Sequence, residues 1–286
     1  MPTPILEMDP LGYETGSPPL QRVRAGSRTI GFRESGYDNG SVLLLLHGVG
    51  SGAASWGPQY VALPSRGLRV IGWDAPGYGG SDRIGVAEPT PADYAGALRD
   101  FADAIGLKRF HLLGHSMGAL IAAAFARLTG TSRVDKLILA SPTSGYAKAS
   151  EEARARAIAG RIADMQALGP NGVAEKRASV LLSPQAPKRA VTLAKAVMRE
   201  LRPDGYADAV GMLGRGDTFA EAPSIVVPTL VLCGTGDQVT PEEGCRRIAA
   251  AIQGARYESI VGPGHGLYVE APGPFDEAVL RFLGIA

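Results

Sequence analysis

Residues 109–120 read Arg-Phe-His-Leu-Leu-Gly-His-Ser-Met-Gly-Ala-Leu. A short apolar run breaks at Gly114-His115-Ser116-Met117-Gly118 and resumes as the apolar, alanine-rich stretch 119–128. This pattern predicts a strand, a tight turn and a helix, with Ser116 at the apex. A serine on such a strained turn projects its hydroxyl clear of the backbone, and glycines on both sides permit close approach. The start of the following helix has unpaired N–H groups and a positive dipole end, so an oxyanion formed beside Ser116 would be stabilised there.

A serine hydroxyl is a poor nucleophile at neutral pH unless a base takes its proton and an acid orients that base. The chain has four histidines. His111 alternates within the apolar strand and reads as a packed residue. His115 immediately precedes the serine, and its side chain is expected to point away from the nucleophile's side of the turn. His47 follows the apolar run 42–46. His265 lies in Val261-Gly262-Pro263-Gly264-His265-Gly266, directly after the strand-like 257–261, and a histidine in a Gly/Pro loop at a strand end is free to enter a cleft. For the acid, the apolar run 229–233 leads into Gly234-Thr235-Gly236-Asp237. Asp237 and His265 therefore leave successive strands on the carboxyl edge of a parallel sheet, where ligands bind in open α/β folds. Asp237 also suits an Asx-turn ahead of Pro241 and a helix over 242–252, a role compatible with chemistry.

The chain order Ser116, Asp237, His265 is that of α/β-hydrolases. Together with His47-Gly48-Val49-Gly50, Asp74-Ala75-Pro76-Gly77-Tyr78-Gly79-Gly80-Ser81 and Gly264-His265, the sequence resembles the α/β-hydrolase superfamily from Arg22 to its end. The resemblance implies a mostly parallel sheet flanked by helices, and an oxyanion hole made by the N–H groups of Val49 and Met117. It assigns His47 a structural place. A glycine-rich loop after a strand can also turn backbone N–H groups toward developing negative charge on physical grounds alone.

A competing pattern is present. Gly48-Val49-Gly50-Ser51-Gly52-Ala53 fits G-x-G-x-x-A, and Asp74 ends the next strand where a dinucleotide fold places its ribose-binding acid. Pro58 and Pro64 interrupt the segment that would have to be the long pyrophosphate-binding helix, and this reading leaves Ser116, Asp237 and His265 without a role.

Organisation follows from changes in period. Residues 1–19 are proline-rich and read as an extended lead-in, 23–34 as an early hairpin. From 42 to 141 strands alternate with helices, among them 94–105, whose Ala97, Leu98, Phe101 and Ile105 recur at helical spacing. After the strand 136–140 the pattern becomes purely helical. Ile158, Ile162, Met165 and Leu168 form one stripe, Val191, Ala194, Met198 and Leu201 a second, and Tyr206, Val210 and Leu213 a third. The expected division is a core of residues 1–142 and 224–286 with a helical cap inserted at 143–223. Such a cap excludes water and offers an apolar surface to a small or medium, partly apolar substrate. Met165, Met198, Tyr206 and Met212 are candidates for that lining, although methionine stripes on helices also serve as plain core.

Composition limits the partners. With 286 residues and 45% apolar content the chain can bury a large core, and a net charge of +1 gives no electrostatic case for nucleic acid or an anionic membrane. Residues 1–16 lack a basic start and an apolar core of the signal-peptide kind, and no aliphatic run spans a bilayer, so a cytoplasmic protein is expected. Cys233 and Cys245 read as buried thiols, and no Cys/His cluster has zinc spacing.

The expected reaction is acyl transfer to water, with Ser116 attacking, His265 moving the proton and Asp237 fixing the imidazole tautomer, without a cofactor. Within the superfamily a serine at the turn disfavours dehalogenases and epoxide hydrolases, which place aspartate there, and leaves chiefly esterases and lactonases. Three alternatives stay open: a carbon–carbon bond hydrolase of aromatic ring-cleavage products, whose segment Gly52-Ala53-Ala54-Ser55-Trp56 resembles; a perhydrolase or acyltransferase; and a ligand-binding receptor on the same fold. Against the first, His115 and Gly266-Leu267 stand where that family usually has asparagine and tryptophan.

Overall fold

The computed structural model describes residues 5–7 and 10–285. Among these residues nine strands form one sheet: β1 (Ile5–Glu7), β2 (Leu20–Ala25), β3 (Arg28–Ser35), β4 (Ser41–Leu46), β5 (Leu68–Trp73), β6 (Phe110–His115), β7 (Val134–Ala140), β8 (Thr229–Gly234) and β9 (Arg256–Ile260). Their spatial order is β1-β2-β3-β5-β4-β6-β7-β8-β9. β1, β2, β3 and β5 pair antiparallel in succession, and from β5 through β9 every pairing is parallel.

The central strands are continuous apolar runs because both of their faces are covered. In β4, Leu44 and Leu46 join one apolar core with Trp73, Leu98, Phe101 and Leu120, while Leu43 and Leu45 join the other with Trp56, Val70, Leu113 and Phe275. Among the described residues eleven α-helices accompany the sheet: α1 (Pro10–Thr15), α2 (Gly57–Ala62), α3 (Pro91–Ala104), α4 (Met117–Thr129), α5 (Glu151–Leu181), α6 (Lys188–Arg199), α7 (Pro203–Arg215), α8 (Thr218–Glu221), α9 (Glu242–Ala251), α10 (Leu267–Glu270) and α11 (Pro272–Leu283). α3 begins three residues before the apolar spacing predicts. Thr90 and Asp93 form a reciprocal capping box and Pro91 occupies the first turn, so the start is set by capping rather than by the buried stripe.

Two expectations are corrected. The lead-in is not simply extended, since 10–15 are helical and 5–7 pair with β2; Met1–Pro4, Met8 and Asp9 lie outside the described residues. The stripe through Leu168 also fails at its end. α5 breaks at Gly169, where φ is 62° and ψ 179°, and Pro170 restarts it, leaving Leu168 45% exposed.

Between β7 and β8 the described chain is helical and contains no strand. α5 packs against α6 and α7, and residues of all three reach over the carboxyl edge of the sheet. No helix among the described residues is long and apolar enough to cross a membrane. Cys233 and Cys245 are free and buried.

Candidate active site

The turn between β6 and α4 holds Ser116 at φ 55° and ψ −112°, a left-handed conformation that a non-glycine residue adopts only under constraint. The constraint is visible in its neighbours. A Cβ at Gly114 would lie 2.2 Å from the Gly118 carbonyl oxygen, and one at Gly118 would lie 2.3 Å from that of Leu46. Only glycine lets β4, β6 and α4 meet this closely, and their meeting places Ser116 at the first turn of α4. The first N–H groups of such a helix have no partner within it.

On the same edge of the sheet, His265 Nδ1–H donates to Asp237 Oδ2 over 2.9 Å. Asp237 is 2% exposed and fully engaged: Oδ1 accepts from the N–H groups of Val239 and Thr240, both at 2.8 Å, and Oδ2 accepts from the Thr240 hydroxyl at 2.8 Å. The Asx-turn and the imidazole contact therefore coexist on one carboxylate. Burial alone would raise its pKa, but the hydrogen bond and charge of His265, with the Thr240 N–H, hold it down at about 2. The loop carrying His265 is braced from below by the buried carboxylate of Glu270. Its Oε2 accepts from Gly264 N–H at 3.0 Å and from Ser183 N–H at 2.9 Å, and the Ser183 hydroxyl donates to Oε1. Gly266 N–H donates to the Leu181 carbonyl at the end of α5 (2.9 Å), so helix end and histidine loop are tied together.

His115 departs from expectation. Its ring lines the cavity, its centroid 4.7 Å from that of His265, and Nε2–H donates to the His265 carbonyl at 2.8 Å. The convergence of the β6 end with the loop after β9 brings it to the cavity side rather than away. Burial, reinforced by the nearby His265, lowers its pKa to about 3, so the ring is neutral and structural at neutral pH.

His47 holds the glycine loop as its position in the sequence suggests. Nδ1–H donates to the Gly48 carbonyl (2.8 Å), which leaves Nε2 to accept from Ala75 N–H (3.0 Å). The Tyr78 hydroxyl donates to the Val49 carbonyl at 2.7 Å, fixing the peptide that follows Val49. A Cβ at Gly48 would lie 3.2 Å from Ser116 Cβ, so this loop rests directly on the serine. Asp74, the acid of the dinucleotide-like pattern, is a loop brace: its carboxylate accepts from Ala53 N–H (2.8 Å) and Gly80 N–H (3.1 Å). The segment 53–66 is a chain of short helical turns rather than one helix.

One cavity gathers Val49, Ser116 and His265. Of the four lining candidates, Met198 is in its wall; Met165, Tyr206 and Met212 are buried in the apolar core instead. Sequence reading missed several wall residues. Tyr268 donates its hydroxyl to Ser55 Oγ at 3.0 Å, and its ring lies 4.9 Å from that of His115. Thr240 is legible as the hydroxyl three residues after Asp237 in a turn; Tyr146, Arg161, Arg177 and Tyr268 arrive by tertiary convergence and leave no local signal.

The arrangement can do one kind of chemistry plainly: a hydroxyl at a helix start, an imidazole fixed by a buried carboxylate, and a backbone loop against the serine suit nucleophilic attack with proton transfer. Comparison with known proteins agrees with the fold. The chain is 29% identical over 294 residues to 2-hydroxy-6-oxononadienedioate/2-hydroxy-6-oxononatrienedioate hydrolase 2 of Pseudomonas putida, covering 94% of this chain and 97% of that one. It is 26% identical over 263 residues to 3-oxoadipate enol-lactonase 1 of Acinetobacter baylyi, covering 90% and 93%. A solved thermophilic esterase from Thermogutta terrifontis superposes with a TM-score of 0.80 at 26% identity, covering 93% of this chain and 98% of that one. Residues 41–272 match the model of the alpha/beta hydrolase fold, and the chain belongs to that family.

Proposed function

We propose that the chain is a serine hydrolase that cleaves a carboxylic ester or lactone of a small to medium, partly apolar molecule. The observation that carries this reading is the shared cavity: Ser116, held at φ 55°, opens into the same space as His265, whose Nδ1–H is fixed 2.9 Å from buried Asp237. With Nδ1 protonated, Nε2 is the nitrogen left to take the Ser116 proton as Oγ attacks the carbonyl carbon. The carbonyl π pair moves to oxygen, and the resulting oxyanion is held by the N–H groups of Val49 and Met117. The imidazolium then gives the proton to the leaving alkoxide as the carbon–oxygen bond breaks. Water, deprotonated by the same imidazole, releases the acid and restores Ser116.

Residues 143–223 act in this reading as a cap that selects substrate, because they contribute wall rather than a nucleophile–base pair. A second reading, carbon–carbon cleavage of a dienoate, is favoured by the likeness to the Pseudomonas putida hydrolase. It requires the leaving carbon to become electron-accepting first, and Gly266 and Leu267 beside His265 offer neither indole nor charge for that. Turnover of a panel of aryl esters, lactones and 2-hydroxy-6-oxo-dienoates separates the two. The ester or lactone reading predicts the higher kcat/KM; a dienoate preferred a hundredfold over the best ester reverses the order.

A further inference from the structure

Two guanidinium groups stand in the wall of the cavity that holds Ser116 and His265: Arg161 and Arg177, on either side of the α5 break at Gly169. Arg161 is fixed in place. One terminal N–H donates to the Ala157 carbonyl at 2.8 Å and another to the Tyr146 hydroxyl at 3.0 Å, with the guanidinium 5.5 Å from the Tyr146 ring centroid. Its Nε is buried and has no hydrogen-bond partner. Neither arginine forms an ion pair among the described residues, and two of the acids on the same helix, Asp164 and Glu175, are paired with other cations. Asp164 pairs with Lys176 at 2.7 Å, and Glu175 pairs with Lys195 and, at 3.0 Å, with Arg199. Asp237 is occupied by Thr240 and His265. The same cavity wall carries Leu181, Leu193, Met198 and Leu213 together with the polar Thr143 and Tyr146.

Half-buried guanidinium groups in a cavity wall, one with its Nε buried and unpartnered, lose part of their water without gaining a counter-ion, and an entering anion relieves that cost. Tyr146 adds to the match, since its oxygen accepts from Arg161 and its own O–H is left to donate. We propose that Arg161 and Arg177, with the Tyr146 hydroxyl, form a subsite for a carboxylate carried by the substrate, away from the bond that is cleaved. Two guanidinium forks and one hydroxyl supply the donors that a two-oxygen carboxylate can saturate. The inference rests on the serine-hydrolase reading above and narrows its substrate class to acidic esters or lactones.

The test compares matched pairs by pH-stat: monomethyl succinate and monomethyl glutarate against methyl butyrate and methyl valerate, and 4-acetoxybenzoate against phenyl acetate. The pairs place the carboxylate on the acyl or on the alcohol side. In at least one pair the charged member should be preferred in kcat/KM by about tenfold or more, the scale of charge-assisted hydrogen bonds. Arg161→Gln and Arg177→Gln should each lower that charged-to-neutral ratio by about tenfold. Calorimetric titration with glutarate provides a readout independent of turnover, with binding expected to weaken in both variants. Fluorophosphonate labelling of Ser116 separately reports whether the serine reading itself holds. No preference in any pair together with no glutarate binding, or a preference and a binding constant that survive both substitutions, overturns the subsite.

Discussion

Asp237→Asn probes the site most finely, because the structure dictates how an amide would sit there. Oδ1 of Asp237 accepts two backbone N–H groups, from Val239 and Thr240, both at 2.8 Å. An asparagine must keep its carbonyl oxygen on that side, since turning its NH2 toward two N–H groups would strand buried donors at about 1–3 kcal/mol each. The amide NH2 then faces His265 Nδ1, where the carboxylate stood 2.9 Å away. The imidazole must present a lone pair at Nδ1, which puts its proton on Nε2, the nitrogen that the proposed mechanism needs as base. The fold survives while the base is lost. A wrong tautomer in a serine protease of this logic costs about 10⁴ in kcat, about 5 kcal/mol of transition-state stabilisation, and the same scale is expected here. The assay is kcat on the best ester of the panel, with thermal unfolding as the control. A variant that keeps its melting temperature and retains kcat within tenfold refutes the reasoning. If Asp74→Asn instead removes turnover with the fold intact, Asp74 rather than Asp237 is the acid, despite its bonds to Ala53 and Gly80.

Gly118→Ala puts a Cβ 2.3 Å from the Leu46 carbonyl oxygen, so α4 or the end of β4 must move; a stability loss of about 1–3 kcal/mol and a fall in kcat are expected by denaturant titration and kinetics, and unchanged values for both would contradict the packing argument. Asp276 is pushed up to about 7 by burial, against 3.8 for an ordinary aspartate, with the Gln59 amide pulling the other way. Between those values the native chain holds a proton that the unfolded chain has released, so this group's stabilisation is complete below about pH 4, fades as pH rises, and is gone above about 7, an effect on the order of 2–4 kcal/mol. Urea titrations at pH 4.5 and 8 should show a stability difference that shrinks in Asp276→Asn; equal differences in both proteins would remove the assignment.

Much of the fold was legible because its signals are local. The run 68–73 is bounded by Gly67 at φ 79° and by Asp74, and emerges as β5 with those limits. That Asp237 and His265 meet is legible because a strand that ends in a Gly/Pro loop delivers its next residues to the carboxyl edge, whatever the rest of the chain does. The errors fall where tertiary packing decides. Capping moved the start of α3, and the left-handed Gly169 took Leu168 out of its stripe. A stripe shows that a helix face is covered, not by what, so Met165, Tyr206 and Met212 went to core while Met198 reached the cavity. His115 meets the His265 loop through a contact between the ends of β6 and β9 that no periodicity encodes.

The central claim is that Ser116 is the nucleophile, and covalent labelling tests it most directly. An active-site-directed fluorophosphonate, followed by intact-mass measurement and peptide mapping, should give one adduct per chain on the peptide containing Ser116. The adduct should be missing from Ser116→Ala with its fold unchanged. Stoichiometric labelling that persists in Ser116→Ala, or that maps to another residue in the unaltered protein, would contradict the account.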